Sequence, residues 1–274
     1  MKIKLIAVLL GVAVLTGAFA GGGSDSGSSA TAPYTIEVGG STSVTPLMEL
    51  FAEEYQKVKP NIKVNINGTG SGDGINNAGV LYQIGMSSRE LTPAEQGRGL
   101  KDTTVAIDGI AVIVHSSNPV TNLTIEQIRN IYTGTITDWS QVSGGALRGR
   151  IAVVSREEGS GTRGAFEELV GFQGRLLAGA NESTSTGAIK AGIAQNPNAI
   201  GYISLGSVDS TIKAISVGGV QASTENVVNG SYKIARPFIV LTGSNVHRES
   251  TAFIEWMLSP AGQTVVRRSW ISVR

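Results

Sequence analysis

Three loops of this chain carry the glycines and hydroxyl side chains that an anion-binding site requires. They occupy residues 39–44 (GGSTSV), 68–74 (GTGSGDG) and 155–162 (SREEGSGT). Each loop follows a predicted strand and precedes a predicted helix, so free backbone N–H groups and the positive end of a helix dipole meet there. Glycine lets the backbone approach a ligand closely, and serine and threonine add hydrogen-bond donors. The pattern predicts a shared site for an anion.

The third loop also raises dinucleotide binding as an alternative. Residues 159–164 (GSGTRG) match G-x-G-x-x-G. That motif indicates a nucleotide site when a βαβ unit ends in an acidic residue about twenty positions later, and Gly179 and Asn181 occupy this neighbourhood. No G-K-[ST] follows, which excludes a P-loop. Since the serines lack a His–Asp relay, hydrolase chemistry also has little support.

Composition narrows the class of protein further. The chain has 274 residues, no cysteine, two histidines and a formal net charge of +1. Disulfides and thiolate metal sites are therefore excluded, and zinc sites are disfavoured. The basic footprint of a nucleic-acid-binding protein is missing. We expect a non-enzymatic binding protein with no metal, no cofactor and no nucleic-acid partner.

The N-terminal residues have the pattern of an export signal. Lys2 and Lys4 precede an apolar run at 5–15, and residues 18–20 (AFA) fit a small-x-small cleavage site. The interpretation is a signal peptide at 1–20 and a flexible Gly/Ser linker at 21–33. We expect an exported protein, periplasmic or extracellular and associated with the cell surface. Because Ala18 stands where a lipobox cysteine would lie, no lipid anchor is expected.

Short apolar runs alternate with helical patterns from residue 34 onward. This alternation predicts an α/β fold with mainly parallel sheets, and the length favours two domains. Thr45 and Thr124 are predicted helix N-caps because each precedes a helical pattern.

Several motifs together resemble one family across almost the whole chain after residue 36. They lie at 40–46 (GSTSVTP), 70–75 (GSGDGI), 84–91 (IGMSSREL), 108–114 (DGIAVIV), 155–162 (SREEGSGT), 198–205 (NAIGYISL) and 258–263 (LSPAGQ). With these motifs the chain resembles the phosphate-binding proteins of ABC-type phosphate uptake systems.

That resemblance implies a type II periplasmic binding protein fold with a ligand cleft between two lobes. One lobe would comprise residues 34–112 plus 214–274, and the other 113–213. The implied function is extracytoplasmic binding of inorganic phosphate by a monomer that delivers it to permease subunits in the membrane. Receptors for sulfate, tungstate or molybdate stay open as alternatives, as does a secreted sensor or adhesion module.

The resemblance also assigns the site residue by residue. Phosphate contacts are implied for Thr42, Ser43, Ser71, Arg156, Ser160, Gly161 and Thr162. Further candidates for the site or the cleft are Ser41, Gly72, Gln83, Ser88, Asp108 and Glu158. Glu158 is the expected acidic partner of Arg156.

One position departs from the family pattern. Well-known members have an aspartate directly before the short strand of the IGMSSREL motif, where it accepts the phosphate proton, and this chain has Gln83. A buried acceptor favours phosphate over sulfate, because only phosphate keeps a proton near neutral pH. Gln83 through its carbonyl oxygen, or Asp108, is the expected substitute.

Overall fold

The computed structural model describes residues 32–274. The predicted signal peptide at 1–20 lies outside the described residues, as does the predicted linker except for Ala32 and Pro33. The strands are β1 Tyr34–Gly40, β2 Ile62–Gly68, β3 Ile84–Ser87, β4 Lys101–His115, β5 Asn122–Leu123, β6 Ala152–Arg156, β7 Asn181–Ser183, β8 Ala199–Ser204, β9 Ile212–Ala214, β10 Ser216–Val217 and β11 Ala235–Thr242. The helices are α1 Thr45–Val58, α2 Ser71–Asn77, α3 Pro93–Gln96, α4 Ile125–Tyr132, α5 Gly161–Val170, α6 Thr186–Gln195, α7 Thr224–Val228, α8 Arg248–Met257 and α9 Pro260–Val266.

Within the described range, one continuous sheet has the strand order β2-β1-β3-β11-β4-β8-β6-β7, and β9 also pairs with β4. The outer pairs, β1 with β2 and β3 and β6 with β7 and β8, are parallel. The central pairs that involve β4 and β11 are antiparallel. The predicted α/β class is confirmed, and the antiparallel centre arises because β11 returns beside β4 after the chain has built both ends.

Strand β4 belongs to both ends of the sheet. Its residues 101–109 pair with β11, and its residues 110–115 pair with β8 or β9. The apolar residues accordingly pack in two large clusters. The first-half cluster draws on residues 36–106 and 238–270, and the second-half cluster on residues 110–234. We call the two parts of the molecule around these clusters the first half and the second half.

The two predicted helix caps have different outcomes. Thr124 begins α4 in a capping box, in which its side chain accepts from the Gln127 N–H and the Gln127 side chain accepts from the Thr124 N–H. The Thr45 cap is wrong, because Val44 is the N-cap of α1 and makes no side-chain cap bond. The Thr45 hydroxyl instead donates to the Ser41 carbonyl oxygen at 3.2 Å, so loop and helix close on each other.

From residue 32 onward, no helix is both long enough and apolar enough to cross a membrane.

Candidate functional site

Hydroxyl groups from several loops converge where the two halves of the sheet meet. A continuous chain of contacts joins them: Ser41 to Ser88 at 2.9 Å, Ser88 to Ser71 at 3.3 Å and to Thr162 at 3.4 Å, Thr162 to Ser43 at 2.8 Å, Ser43 to Thr186 at 3.1 Å, and Thr186 to Thr42 at 3.3 Å between side-chain oxygens. We call these seven residues the hydroxyl cluster. All are buried except Thr42, which is half-buried.

The cluster is assembled from both halves of the molecule. Thr162 lies in the first turn of α5 and Thr186 is the first residue of α6, both in the second half, and the other members lie in the first half. The second and third predicted loops also touch through their backbones, since the Gly72 N–H donates to the Gly159 carbonyl oxygen at 2.9 Å. The side chains that could hold an anion are therefore in place only while the halves are together.

Helix starts add positive potential to the cluster. Helices α1, α5 and α6 all begin beside it, with 14, 10 and 10 residues. Ser160 caps α5 by accepting from the Arg163 N–H at 3.3 Å. The dipoles of three such helices favour a negative ligand.

Glycine is required where the third loop crosses the cluster. A Cβ atom on Gly161 would lie 2.3 Å from Ser71 Oγ and 2.8 Å from Ser88 Oγ. Both oxygens belong to the first half, so the missing side chain lets α5 begin directly against them. The backbone of Gly161 thus lies directly against the cluster.

Arg156 is a buried cation beside the site. Only 2% of its side chain is exposed, and it is paired with Glu157 through Nε to Oε2 at 2.7 Å and Nη2 to Oε1 at 2.8 Å. The expected partner, Glu158, is exposed and lines a separate cavity of about 570 Å³ next to Ser160. The partner prediction is therefore wrong by one residue.

A second buried cation, Arg236 on β11, was not among the predicted residues. Its Nη1 donates to the Ser88 carbonyl oxygen at 2.9 Å and to Thr162 Oγ1 at 2.8 Å. Its Nη2 pairs with Asp108 Oδ2 at 3.0 Å, and Ser204 Oγ donates to Asp108 Oδ1 at 2.9 Å. Burial raises the pKa of Asp108 to about 6, although the Arg236 charge opposes the rise.

The two expected proton acceptors lie away from the cluster. The Gln83 side-chain carbonyl accepts from the Glu37 backbone N–H at 2.6 Å, which places it in the packing between β1 and β3. Asp108 is separated from the cluster by Arg236, and both its oxygens are already engaged. Within residues 32–274, no Asp or Glu carboxylate is hydrogen-bonded to a hydroxyl of the cluster.

Two residues of the site, Thr186 and Arg236, were not predicted from the sequence, for different reasons. Thr186 is the first residue of α6, directly after the short loop 184–185 that follows β7, and the hydroxyl pattern TSTG at 184–187 marks this passage from strand to helix in the sequence. Arg236 carries no motif, since it stands inside an ordinary apolar strand. Residues 32–274 contain no group of three or more His, Asp or Glu side chains placed to hold a metal ion.

Comparison with known proteins identifies the class to which this fold and site belong. Residues 25–261 match the family model described as the PBP superfamily domain. The chain belongs to this superfamily and, within it, to the family of the PstS phosphate-binding proteins. Among these relatives, the phosphate-binding protein PstS of Borreliella burgdorferi is 30% identical over 246 residues, which cover 84% of this chain and 87% of that protein.

Solved structures agree with the family assignment. A Clostridium perfringens structure with bound phosphate, assigned as a phosphate ABC transporter substrate-binding protein, is 45% identical with a TM-score of 0.85. It matches 88% of this chain and 100% of that one. A Vibrio cholerae ABC-type phosphate transport receptor is 37% identical with a TM-score of 0.71, over 87% of this chain and 100% of its own. The predicted family resemblance and type II periplasmic binding protein fold are confirmed.

Proposed function

We propose that this protein is a non-enzymatic receptor that binds inorganic phosphate outside the cytoplasm and delivers it to the permease subunits of an ABC transporter. The observation that carries the proposal is the hydroxyl cluster, built from both halves and flanked by two buried arginines. The relatives named for phosphate binding and the phosphate-bound Clostridium perfringens structure support the choice of anion.

The chemistry of the cluster suits a tetrahedral oxyanion. Four oxygens with several lone pairs each accept many hydrogen bonds at once, and hydroxyls, helix N–H groups and guanidinium groups can all donate. We propose direct contacts from Thr42, Ser43, Ser71, Arg156, Ser160, Gly161 and Thr162, with Ser41, Ser88 and Thr186 completing the cluster. Arg156 keeps its charge while Glu157 offsets part of it, which lowers the cost of burying a cation before the anion arrives.

Closure of the two halves around the anion is the proposed mechanism. The lobes predicted as 34–112 plus 214–274 and 113–213 correspond broadly to the two apolar clusters. Ile215 and Ile234 pack with the second-half cluster, which supports moving the segment between them to the second lobe. A ligand that bridges the halves stabilises the closed arrangement by its own binding energy. A permease can then distinguish the loaded receptor from the empty one by shape.

Isothermal titration of the purified protein with phosphate, sulfate, tungstate and a nicotinamide nucleotide tests the proposal. Phosphate should bind most tightly and the nucleotide should not bind. Thr162→Val should weaken phosphate binding about tenfold, since a hydrogen bond to a charged group is worth about 1.5–3 kcal/mol. Thr211→Val is the matched control, because that hydroxyl bonds only to Asp209 on the surface. Absence of phosphate binding by the intact protein would overturn the proposal.

A further inference from the structure

Arg236 and Asp108 form a cross-strand pair at the junction of the two halves. They are direct neighbours in the β11–β4 register. Two residues later β4 leaves β11 and pairs with β8, where Ile110 faces Ser204. The Asp108 carboxylate accepts from groups on both sides of this junction, Arg236 Nη2 and Ser204 Oγ. The buried ion pair therefore lies at the point where motion between the halves would be concentrated.

The guanidinium of Arg236 also bridges the halves at the hydroxyl cluster. Nη1 reaches the Ser88 carbonyl oxygen in the first half and Thr162 Oγ1 in the second. Its Nε is buried and has no partner among the described residues, so the side chain is held by its two terminal nitrogens. Asp108 and Ser204 together fix where those nitrogens point.

The donor from Arg236 decides the direction of the hydrogen bonds at Thr162. A guanidinium has only donors, so Thr162 Oγ1 must accept from it. The proton of the Thr162 hydroxyl is then left for the cluster side, where Ser43 Oγ lies at 2.8 Å and Ser88 Oγ at 3.4 Å. An anion that enters between these groups meets a hydroxyl already turned to donate.

Three other cluster hydroxyls are fixed in the same way by backbone donors. The Ser43 N–H donates to Ser41 Oγ at 3.3 Å, the Ser88 N–H to Ser71 Oγ at 3.1 Å, and the Thr186 N–H to Thr42 Oγ1 at 3.3 Å. At Thr162 the corresponding donor is a side chain, and a substitution can remove it.

We propose that Arg236, held by Asp108 and Ser204, is a positioning residue that fixes the Thr162 hydroxyl as a donor to the bound anion and ties that orientation to the closed arrangement of the halves. It acts through Thr162 rather than by touching the ligand. This inference rests on the proposed phosphate-binding function. Preorganised donors raise affinity because the ligand does not have to reorient them on binding.

A double-mutant cycle on phosphate affinity separates positioning from general structural support. The four proteins are the wild type, Arg236→Met, Thr162→Val and the double variant, each titrated with inorganic phosphate. Arg236→Met should weaken binding about tenfold or more when Thr162 is present, because a charge-assisted hydrogen bond is lost. In the Thr162→Val background the same change should weaken binding less than about twofold, since the group it positions is gone. Arg268→Met, which breaks the exposed Arg268–Glu54 pair, is the control and should bind like the wild type.

A variant in which both members of the Arg236–Asp108 ion pair are replaced serves as the control for misfolding. Loss of Arg236 alone leaves a buried Asp108 carboxylate without its counter-ion, which destabilises the fold. The variant Asp108→Asn with Arg236→Met removes both charges and should recover thermal stability while phosphate binding stays weak. Recovery of wild-type affinity in that variant, or equal losses from Arg236→Met in the two Thr162 backgrounds, would overturn the inference. Failure of the wild type itself to bind phosphate would instead remove the function on which the inference rests.

Discussion

Ser43 Oγ and Thr162 Oγ1 lie 2.8 Å apart although 119 residues separate them in the chain. Ser43 belongs to the loop before α1, in the first half, and Thr162 to the first turn of α5, in the second. A single oxygen of a bound anion can therefore be shared by donors from both halves. Under the proposed mechanism this geometry couples ligand binding to closure of the two halves, and it leads to the predictions below.

The first prediction concerns the buried Arg156. Arg156→Ala should weaken phosphate binding several-fold or more, because a buried charge-assisted hydrogen bond is worth about 1.5–3 kcal/mol. Calorimetric titration measures the loss, and thermal melting checks the fold. Arg268→Ala removes an arginine from an ion pair on the surface, Arg268 with Glu54, and should leave the affinity unchanged. Unchanged affinity in a folded Arg156→Ala protein would show that Arg156 and Glu157 are a structural pair only.

Much of the fold could be predicted because its signals are local. The loops at 39–44 and 155–162 and the capping box at Thr124 are each contiguous in sequence. In such patterns the residue types alone indicate where a strand ends or a helix begins. The antiparallel centre of the sheet had no such signal. It depends on β11 returning beside β4 after more than a hundred residues, and apolar alternation does not encode which strands become neighbours.

The same distinction between local and long-range features applies to the site. The hydroxyls in loops before helices were predictable from the loops that contain them. Their partners across the halves were not, and neither was the burial of Arg236, whose role comes from its distance to Asp108 and Thr162. The choice between Glu157 and Glu158 as the partner of Arg156 was also undecidable from adjacent glutamates, because a turn of the loop sets which carboxylate faces inward.

The second prediction concerns the close contact of the Gly161 backbone with Ser71 and Ser88. Gly161→Ala places a Cβ atom 2.3 Å from Ser71 Oγ and 2.8 Å from Ser88 Oγ, both in the first half. The clash should be relieved by holding the halves apart, so phosphate affinity should fall by about fivefold or more, as overpacking commonly costs 1–3 kcal/mol. Small-angle scattering should show less compaction with phosphate than in the wild type.

Gly192→Ala is the matched control for that experiment. Gly192 lies inside α6, and an added Cβ would meet no atom within 4 Å. Alanine there should leave binding unchanged and stabilise the helix slightly. If Gly161→Ala closes and binds like this control, the contact between α5 and the first-half serines does not limit closure.

The third prediction concerns pH and the buried Asp108. Its pKa is raised from an ordinary 3.8 to about 6 by burial, so between these values the folded protein holds a proton that the unfolded chain lacks. The stability contributed by this protonation is fully present below about pH 4 and is lost as pH rises through about 6. Each pH unit in this window changes the free energy of unfolding by up to about 1.4 kcal/mol.

Thermal melting in phosphate-free buffer from pH 4 to 7, with wild type and Asp108→Asn side by side, measures this effect. The wild type should lose stability relative to Asp108→Asn as pH rises, because asparagine does not titrate. The change with pH of the stability difference between the two proteins is the diagnostic quantity. The unpaired Arg236 of the variant lowers its stability by the same amount at every pH and does not affect that change. Parallel profiles would mean that Arg236 keeps Asp108 ionised throughout this range.

The last prediction concerns selectivity between phosphate and sulfate. Bound phosphate keeps a proton near neutral pH and needs an acceptor, whereas sulfate does not. The carboxylates nearest the cluster are engaged, Asp108 by Arg236 and Ser204 and Glu157 by Arg156. We expect a hydroxyl oxygen of the cluster to accept the proton, and Ser88 Oγ has the central position because it contacts Ser41, Ser71 and Thr162. Ser88→Ala should therefore lower phosphate affinity about fivefold more than sulfate affinity, the effect of one neutral hydrogen bond.

Ser71→Ala is the comparison variant for selectivity, because the Ser88 N–H occupies one lone pair of Ser71 Oγ and the Ser71 hydroxyl proton can be donated to either anion. It should weaken both anions alike, and Asp108→Asn should also change both in parallel. Competition titrations at pH 7 with the three variants give the ratio of the two affinities directly. If Asp108→Asn lowers that ratio while Ser88→Ala leaves it unchanged, the proton is accepted by Asp108 after its pair with Arg236 has opened, and the binding site extends one layer deeper than the hydroxyl cluster.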